Sequence, residues 1–351
     1  MTRLRYLGQR LLLAIPVVLF GITITFVVVR LGPLDPVTAI LGPNAPPEQA
    51  ARVRRSLGLT QPLWRQYLEY VARLLTFDLP RSWVVSPGTP ALELVGLYAP
   101  RTIWLGFWSV LVALVVGVPL GFYAGLHPNT GGDYLASVGG IVWRAMPNFW
   151  LAIVVVSVLS QSPRLLWGFE WTTWLVHTPK VVTPPDLSVL ARPSRLLTAP
   201  AETWPRVLAA IKMTAPAAIV LGSSSMGNEI RVARTAVLET VGADYVDAAR
   251  AKGLPERRVV WKHVFRNALV PLVPIVTGEA FLLLGGSVLV ETVFAINGLG
   301  QLFFRAAVQA DLPLLGALMY VFVLVLVATN LLQDLLYTLV DPRVGFDRRS
   351  R

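Results

Sequence analysis

Six stretches of this chain, approximately 11–29, 102–126, 135–159, 207–226, 268–289 and 314–337, are apolar almost throughout, with polar segments between them. A run of about twenty apolar residues matches the ~30 Å hydrocarbon thickness of a bilayer. In hydrocarbon a backbone satisfies its own N–H and C=O groups only as a helix or a closed barrel. Runs of this length without strict alternation predict helices. The fold class expected is therefore an all-α integral membrane protein with six transmembrane helices. Its organisation divides into a terminus and first span (1–30), an outer, partly helical segment (31–99), a five-helix core (100–341) and a tail (342–351).

The polar intervals carry their own periodicity. In 31–99, Pro46 and Pro47 precede AARVRRSLG with Gly58 as a stop, and Pro62 starts LWRQYLEYVARLL. Leu63, Tyr67, Tyr70, Val71 and Leu74 lie near one face of that second helix. The amphipathic pair should rest on the outer rim of the bundle, as a cover for the spans or as a docking platform. A second outer stretch, 160–206, is rich in proline and holds Trp167, Trp171, Trp174 and Trp204, which suit an interfacial belt or a ligand box.

The most informative polar run is GADYVDAARAKGLPERRVVWKHVFRN, 242–267, inside the loop 231–267. It reads as two short helices joined at a glycine. Asp244 caps the first, Asp247 follows three residues on, Gly253 takes the C′ place, and Pro255 opens the second. Ala248, Ala249 and Ala251 leave the first helix thin on one side, a shape that docks into another protein's groove.

A formal net charge of +11 raises nucleic acid as a partner, but the distribution argues for membrane orientation instead. Arg3, Arg5 and Arg10 precede the first span, eight basic residues lie between Arg231 and Arg266, and four follow Asp341. Short cytoplasmic segments concentrate Arg and Lys, so both termini and the 231–267 loop are expected inside. The turn HPNTGGD, without Arg or Lys, is neutral. The first apolar run lacks a small-x-small cleavage site and reads as an uncleaved span. With no cysteine, disulfide and thiolate chemistry drop out.

Catalytic chemistry finds little support. GSSSMGN, 222–228, has glycines at phosphate-loop spacing, but Asn228 and Glu229 stand where Lys and Ser/Thr are needed, so no ATP site is expected on this chain. His127, His177 and His263 lack metal-ligand spacing, and Ser223, Ser224 and Ser225 lack a neighbouring base. Arg144, Lys212, Glu229 and Glu279 are ionisable groups within apolar stretches, where charge is costly and faces a wet cavity or a partner. With Ser224 they form the candidate pathway lining. Glu279, near mid-span, either lines the path or bridges spans by a hydrogen bond. Pro216, Pro271 and Pro274 free backbone carbonyls in the fourth and fifth spans.

DAARAKG, Asp247 to Gly253, resembles the EAA---G loop of ABC-importer permeases. Asp247 replaces the usual Glu, and His263, Val264, Phe265 and Arg266 stand where I-x-L-P is expected, as in the oligopeptide/dipeptide branch. LGLTQPLWRQYLEYV, VPLG, MPNFWLA, ETVFAINGLG and NLLQDLLYTLVDPR extend the resemblance along most of the chain. The resemblance implies a type I permease fold in a prokaryotic cytoplasmic membrane. It also implies a second, non-identical permease subunit, two ATPase subunits that bind ATP and Mg²⁺, and an extracytoplasmic binding protein. Asp247, Ala248, Ala249, Gly253, Pro255 and His263 become the ATPase-coupling residues. Peptides are the implied cargo, with nickel chelates, glutathione and sugar oligomers left open. A secondary transporter or channel is the alternative; it needs no docking helix pair and would suit inverted repeats, which are not seen.

Overall fold

The computed structural model describes residues 3–32, 35–176, 198–272 and 287–340, and these contain helices and no β-strand. Four helices are long and apolar enough to cross a bilayer, through Gly8–Leu31, Ala91–Leu126, Pro200–Val241 and Leu312–Leu335. A bent pair, Gly131–Arg144 with Asn148–Ser160, supplies a fifth crossing if counted as one span. The sixth expected span, 268–289, lies largely outside the described residues. The chain divides into two units, 1–100 with 297–331 and 101–296 with 332–351.

The first unit opens with α1 (Arg3–Leu31). Asp35 then caps α2 (Pro36–Leu41), accepting from the Val37 amide at 3.3 Å, and holds Arg54 of α3 (Pro47–Ser56) at 2.8 Å. Gly58, at φ +67°, ends that turn in the left-handed region and leads to α4 (Leu63–Leu75). Both helices of the outer segment form where their prolines and Gly58 place them. Of the α4 face expected to be apolar, Tyr67 and Tyr70 pack on α1 and Val71 and Leu74 turn into the core, whereas Leu63 is exposed. The Tyr67 hydroxyl lies 2.7 Å from Thr23 Oγ1, and the Phe26 ring meets Tyr67 edge-on at 5.3 Å. Ile22, Leu74, Leu302, Leu314 and Leu318 form the fully buried centre of the unit.

One acid locks this unit together. Asp311 is wholly buried between two helices of the C-terminal part, Leu299–Val308 and Leu312–Val340. Its carboxylate accepts from the Ser82 hydroxyl at 2.5 Å and from the amides of Trp83, Val84 and Val85 at 3.1, 3.0 and 3.0 Å. A carboxylate taking several donors offsets the cost of its burial, and here it fixes a loop whose own pairing is a single antiparallel bridge, Arg81 with Pro90.

The apolar helix α5 (Ala91–Leu126), which belongs to the second unit from Arg101 onward, contains a π-turn at Ala113–Gly117. The third span was expected as one helix over 135–159; it is two, α6 (Gly131–Arg144) and α7 (Asn148–Ser160), bent by 97°. Pro147 is the cause, because its ring lacks an N–H and pushes Met146 out of the helical region. After the short helices α8 (Ser162–Leu165) and α9 (Trp171–Val176), the 42-residue α10 (Pro200–Val241) passes through Pro205 and Pro216 unbroken.

α5 and α10 approach backbone to backbone along Gly117, Gly121 and Gly125, which recur every fourth residue on one α5 face. A Cβ on Gly117 would lie 2.9 Å from Glu229 Cβ, one on Gly121 2.5 Å from the Ile230 carbonyl oxygen, and one on Gly125 2.6 Å from Val237 Cβ. Glycine stripes let membrane helices gain close van der Waals contact where lipid gives no hydrophobic drive to associate.

Candidate functional site

The loop beyond α10 folds as a short helix, α11 (Asp244–Ala251), and a helical run, α12, covering 256–268 with a π-turn at Val259–Phe265. Gly253 sits between them at φ +73°, a left-handed conformation that costs any residue with a Cβ. Its amide bonds the Arg250 carbonyl at 2.9 Å. Pro255 is the residue just before α12. The N-terminal cap differs from expectation. Ala243 holds the cap position without a side-chain bond, and Asp244 is the first helical residue. With alanine at the cap no side-chain oxygen reaches the first-turn amides.

Arg250 joins the two helices. Its Nη2 lies 3.1 Å from Glu256 Oε1 and its Nη1 3.4 Å from Asp247 Oδ1. The Glu256 carboxylate, and after it that of Asp247, raises the guanidinium's pKa above its ordinary value, so Arg250 stays charged.

The face presented outward is not the one the alanine pattern suggested. Ala249 is 4% exposed, packed in a core with Val246, Val259, Val264, Ala268 and Phe122 of α5. Tyr245, Ala248 and Lys252, spaced three and four apart, form the exposed face, with Asp247 and Ala251 beside them. On α12, Arg257, Arg258, Trp261, Lys262 and Arg266 line an open cleft of about 740 Å³. His263 is half-buried, and its carbonyl accepts from Asn267 Nδ2 at 2.7 Å. The loop thus offers an exposed helix face of Tyr245, Ala248 and Lys252 and a basic, tryptophan-bearing cleft.

The candidate lining residues do not converge. Lys212, Ser224 and Glu229 share α10, but at about 100° per residue Ser224 lies ~120° and Glu229 ~100° the other way around the helix from Lys212. Lys212 Nζ sits 3.6 Å over the Trp174 ring. Ser224 Oγ donates to the Leu221 carbonyl at 2.7 Å, within its own helix. Glu229 is 1% exposed behind Gly117. Arg144 is exposed at the α6–α7 bend. Glu279 lies outside the described residues.

Three polar contacts within the second unit escaped the sequence reading. Asp133 and Arg234 form a bidentate pair at 2.6 and 2.8 Å, joining the start of α6 to α10. Thr130 and Asp133 form a T-x-x-D cap in which Thr130 Oγ1 accepts from the Asp133 amide at 3.3 Å, a signal present in the turn HPNTGGD. Glu291, wholly buried, accepts from Thr102 Oγ1 at 2.8 Å. No run of residues near Glu291 betrays that partner.

Long apolar helices, a glycine-packed pair and a helical hairpin turned at Gly253 are features shared with known proteins. Residues 117–346 match the family model described as binding-protein-dependent transport system inner membrane component, and 3–81 match the N-terminal model of the same description. The chain belongs to this family of inner-membrane permease components. It is 32% identical over 342 residues to the oligopeptide transport system permease protein AppB of Bacillus subtilis, covering 97% of this chain and 99% of that one. The dipeptide transport system permease protein DppB of Escherichia coli K12 is 32% identical over 347 residues, covering 97% and 98%. A chain of the MetNI methionine ABC transporter, solved in inward-facing conformations, aligns with a TM-score of 0.51 at 17% identity, covering 71% of this chain and 97% of that one. The permease therefore has the helical fold of an ABC-importer membrane subunit and crosses the membrane several times.

Proposed function

We propose that this permease is the pore-forming subunit of an ATP-driven importer for peptides, and that α11 and α12 couple it to ATPase subunits. The observation that carries the reading is the exposed face of Tyr245, Ala248 and Lys252 beside left-handed Gly253, in a chain alignable end to end with peptide permeases. ATP and Mg²⁺ belong to the ATPase partners, two per complex. Their closure moves the docked hairpin, and the spans, shared with a second, non-identical permease subunit, switch their opening from one membrane face to the other. An extracytoplasmic binding protein delivers cargo. Arg and Lys placement puts both termini and 231–267 in the cytoplasm, with 31–99 and 160–206 outside. Arg144, Lys212, Ser224, Glu229 and Glu279 act at separate points of the path if they act on cargo at all, because those described occupy different faces.

Single-cysteine crosslinking tests this, and the chain has no cysteine of its own to remove. In membranes containing the co-expressed ATPase subunits, cysteines at Ala248 and Ala251 should crosslink to an ATPase subunit, and one at buried Ala249 should not. Crosslinks from Ala248 to the binding protein, or co-purification without any ATPase subunit, would overturn the assignment.

A further inference from the structure

A cavity of about 750 Å³ lies within the first unit, between the C-terminal end of α1, the outer helices and the loop 77–90. Its size falls in the ~300–1,000 Å³ range of small-molecule sites. Four arginines, Arg30, Arg55, Arg73 and Arg81, line it against two carboxylates, Glu69 and Asp78. Two of the cations are already used locally: Arg81 Nη1 donates to the Gly88 carbonyl at 2.6 Å and Arg55 Nε to the Ala51 carbonyl at 3.3 Å. Glu69 is held by Arg65 at 3.3 Å. Among the described residues the guanidinium groups of Arg30 and Arg73 make no hydrogen bond or ion pair. The Tyr70 hydroxyl, also at this cavity, is buried and has no hydrogen-bond partner. Burial raises its pKa, so it stays a neutral donor. The ten N–H groups of two unengaged guanidiniums and the Tyr70 hydroxyl outnumber the unengaged acceptors of the cavity, the Asp78 carboxylate and Gln61 Oε1, and an anion with several acceptor oxygens satisfies the excess donors together.

The depth of the cavity says which anion. Arg30 occupies the last turn of the α1 span, where hydrocarbon gives way to headgroups. α4 is packed at Thr23 and Phe26, within that span, so it lies at membrane level. Its other face exposes Trp64, Leu68 and Leu75, spaced along one side, while α1 exposes Val27, Val28 and Leu31 beside Arg30. An amphipathic helix with tryptophan at one edge and apolar residues exposed is the arrangement that lies in a bilayer interface. A charged site opening among acyl-chain-facing side chains fits an anion that carries acyl chains.

We propose that the cavity lined by Arg30, Tyr70 and Arg73 binds the phosphate of a phospholipid in the leaflet at the C-terminal end of α1, the outer leaflet in the orientation given above. The bound lipid ties α4 to the first span and seals the unit's outer edge. This site is separate from the coupling hairpin and stands whatever cargo the permease carries.

The test uses the full-length chain in a phosphate-free detergent solution, read by the shift in its thermal unfolding midpoint as ligand is added. Dioleoyl-phosphatidylglycerol should raise the midpoint saturably, whereas dioleoylglycerol, which lacks the phosphate, and inorganic phosphate, which lacks the chains, should not at the same concentration. Arg30→Gln with Arg73→Gln should weaken the lipid's half-effect concentration at least tenfold, Tyr70→Phe a few-fold, and Arg52→Gln, on exposed α3, not at all. If the double variant does not fold, Tyr70→Phe, which removes only a hydroxyl, decides. An equal shift with inorganic phosphate would assign the site to a free anion, and an equal shift with dioleoylglycerol would leave only acyl contacts. Either result overturns the proposal, as would no shift with the phospholipid or an unchanged concentration dependence in the variants.

Discussion

Replacing Gly121 with alanine tests a close helix crossing in the permease. The added Cβ would lie 2.5 Å from the Ile230 carbonyl oxygen, 2.7 Å from Ala233 Cβ and 2.9 Å from Ile230 Cα. Two of those three atoms are backbone, so no side chain can swing aside, and α5 must move from α10 by roughly 1 Å to reach ordinary contact distance. Overpacking of this kind costs about 1–3 kcal/mol, and the better helix propensity of alanine returns about 1 kcal/mol. Gly106 and Gly139 supply the comparison, because a Cβ at either meets nothing within 4 Å. Alanine there should be neutral or stabilising by up to about 1 kcal/mol. The same change should therefore move the unfolding midpoint in opposite directions, down by several degrees at Gly121 and level or slightly up at Gly106 and Gly139, on a scale of about 2–4 °C per kcal/mol. Thermal unfolding of the purified chain in one detergent measures all three. A Gly121→Ala midpoint equal to that of Gly139→Ala would refute the close-packing argument.

Other outcomes follow from the geometry. Gly253→Val, forced to φ near +73°, should cost about 1–2 kcal/mol locally and uncouple cargo-stimulated ATP hydrolysis while membrane insertion persists; wild-type transport by that variant would reject the hinge role. Ala248→Trp should weaken ATPase co-purification without lowering the thermal midpoint, whereas Ala249→Trp should lower the midpoint itself, since that residue packs inward. The reverse pattern would mean α11 is turned the other way when assembled. Asp311→Asn loses the charge that holds three loop amides and the Ser82 hydroxyl and should destabilise the chain by about 3 kcal/mol, with faster proteolysis near residues 82–85. Protease resistance equal to wild type would show that the loop is held by other means.

Much of this architecture was legible in the sequence, and the exceptions have physical causes. Long apolar runs marked the spans because hydrocarbon demands them. Gly58 and Gly253 marked left-handed turns because few other residues tolerate the backbone there. The bend at Pro147 was also written in the chain, but the apolar run passes through MPNFW without interruption and hides it. Helical phase was harder in α11. Eight residues, three of them charged and three of them alanine, give little signal to say which alanine faces inward, and Ala249 was placed on the wrong side. Glycines 117, 121 and 125 form a stripe readable at a period of four. Asp311 has no such signature, because its partners lie at 82–85 and nothing local distinguishes it from any acid at a helix start. The coupling residues were legible mainly through resemblance, and of the lining residues, chosen mostly for charge, Lys212, Ser224 and Glu229 fell on separate faces of α10.

The Asp311 contact also sets an order of events during synthesis. Ser82 and its acceptor are 229 positions apart, and at roughly 5–20 residues per second the ribosome needs on the order of 10–50 s to deliver one after the other. Throughout that interval α2 to α4 and the loop have been made while their buried acid and the leucines at 302, 314 and 318 have not. The N-terminal part of this permease must therefore persist without its core, exposed to proteases and to other nascent chains, until translation is nearly finished. A quality-control protease that samples early intermediates would find its cleavage sites in the stretch after α4, and truncation anywhere before Asp311 would leave those sites permanently open.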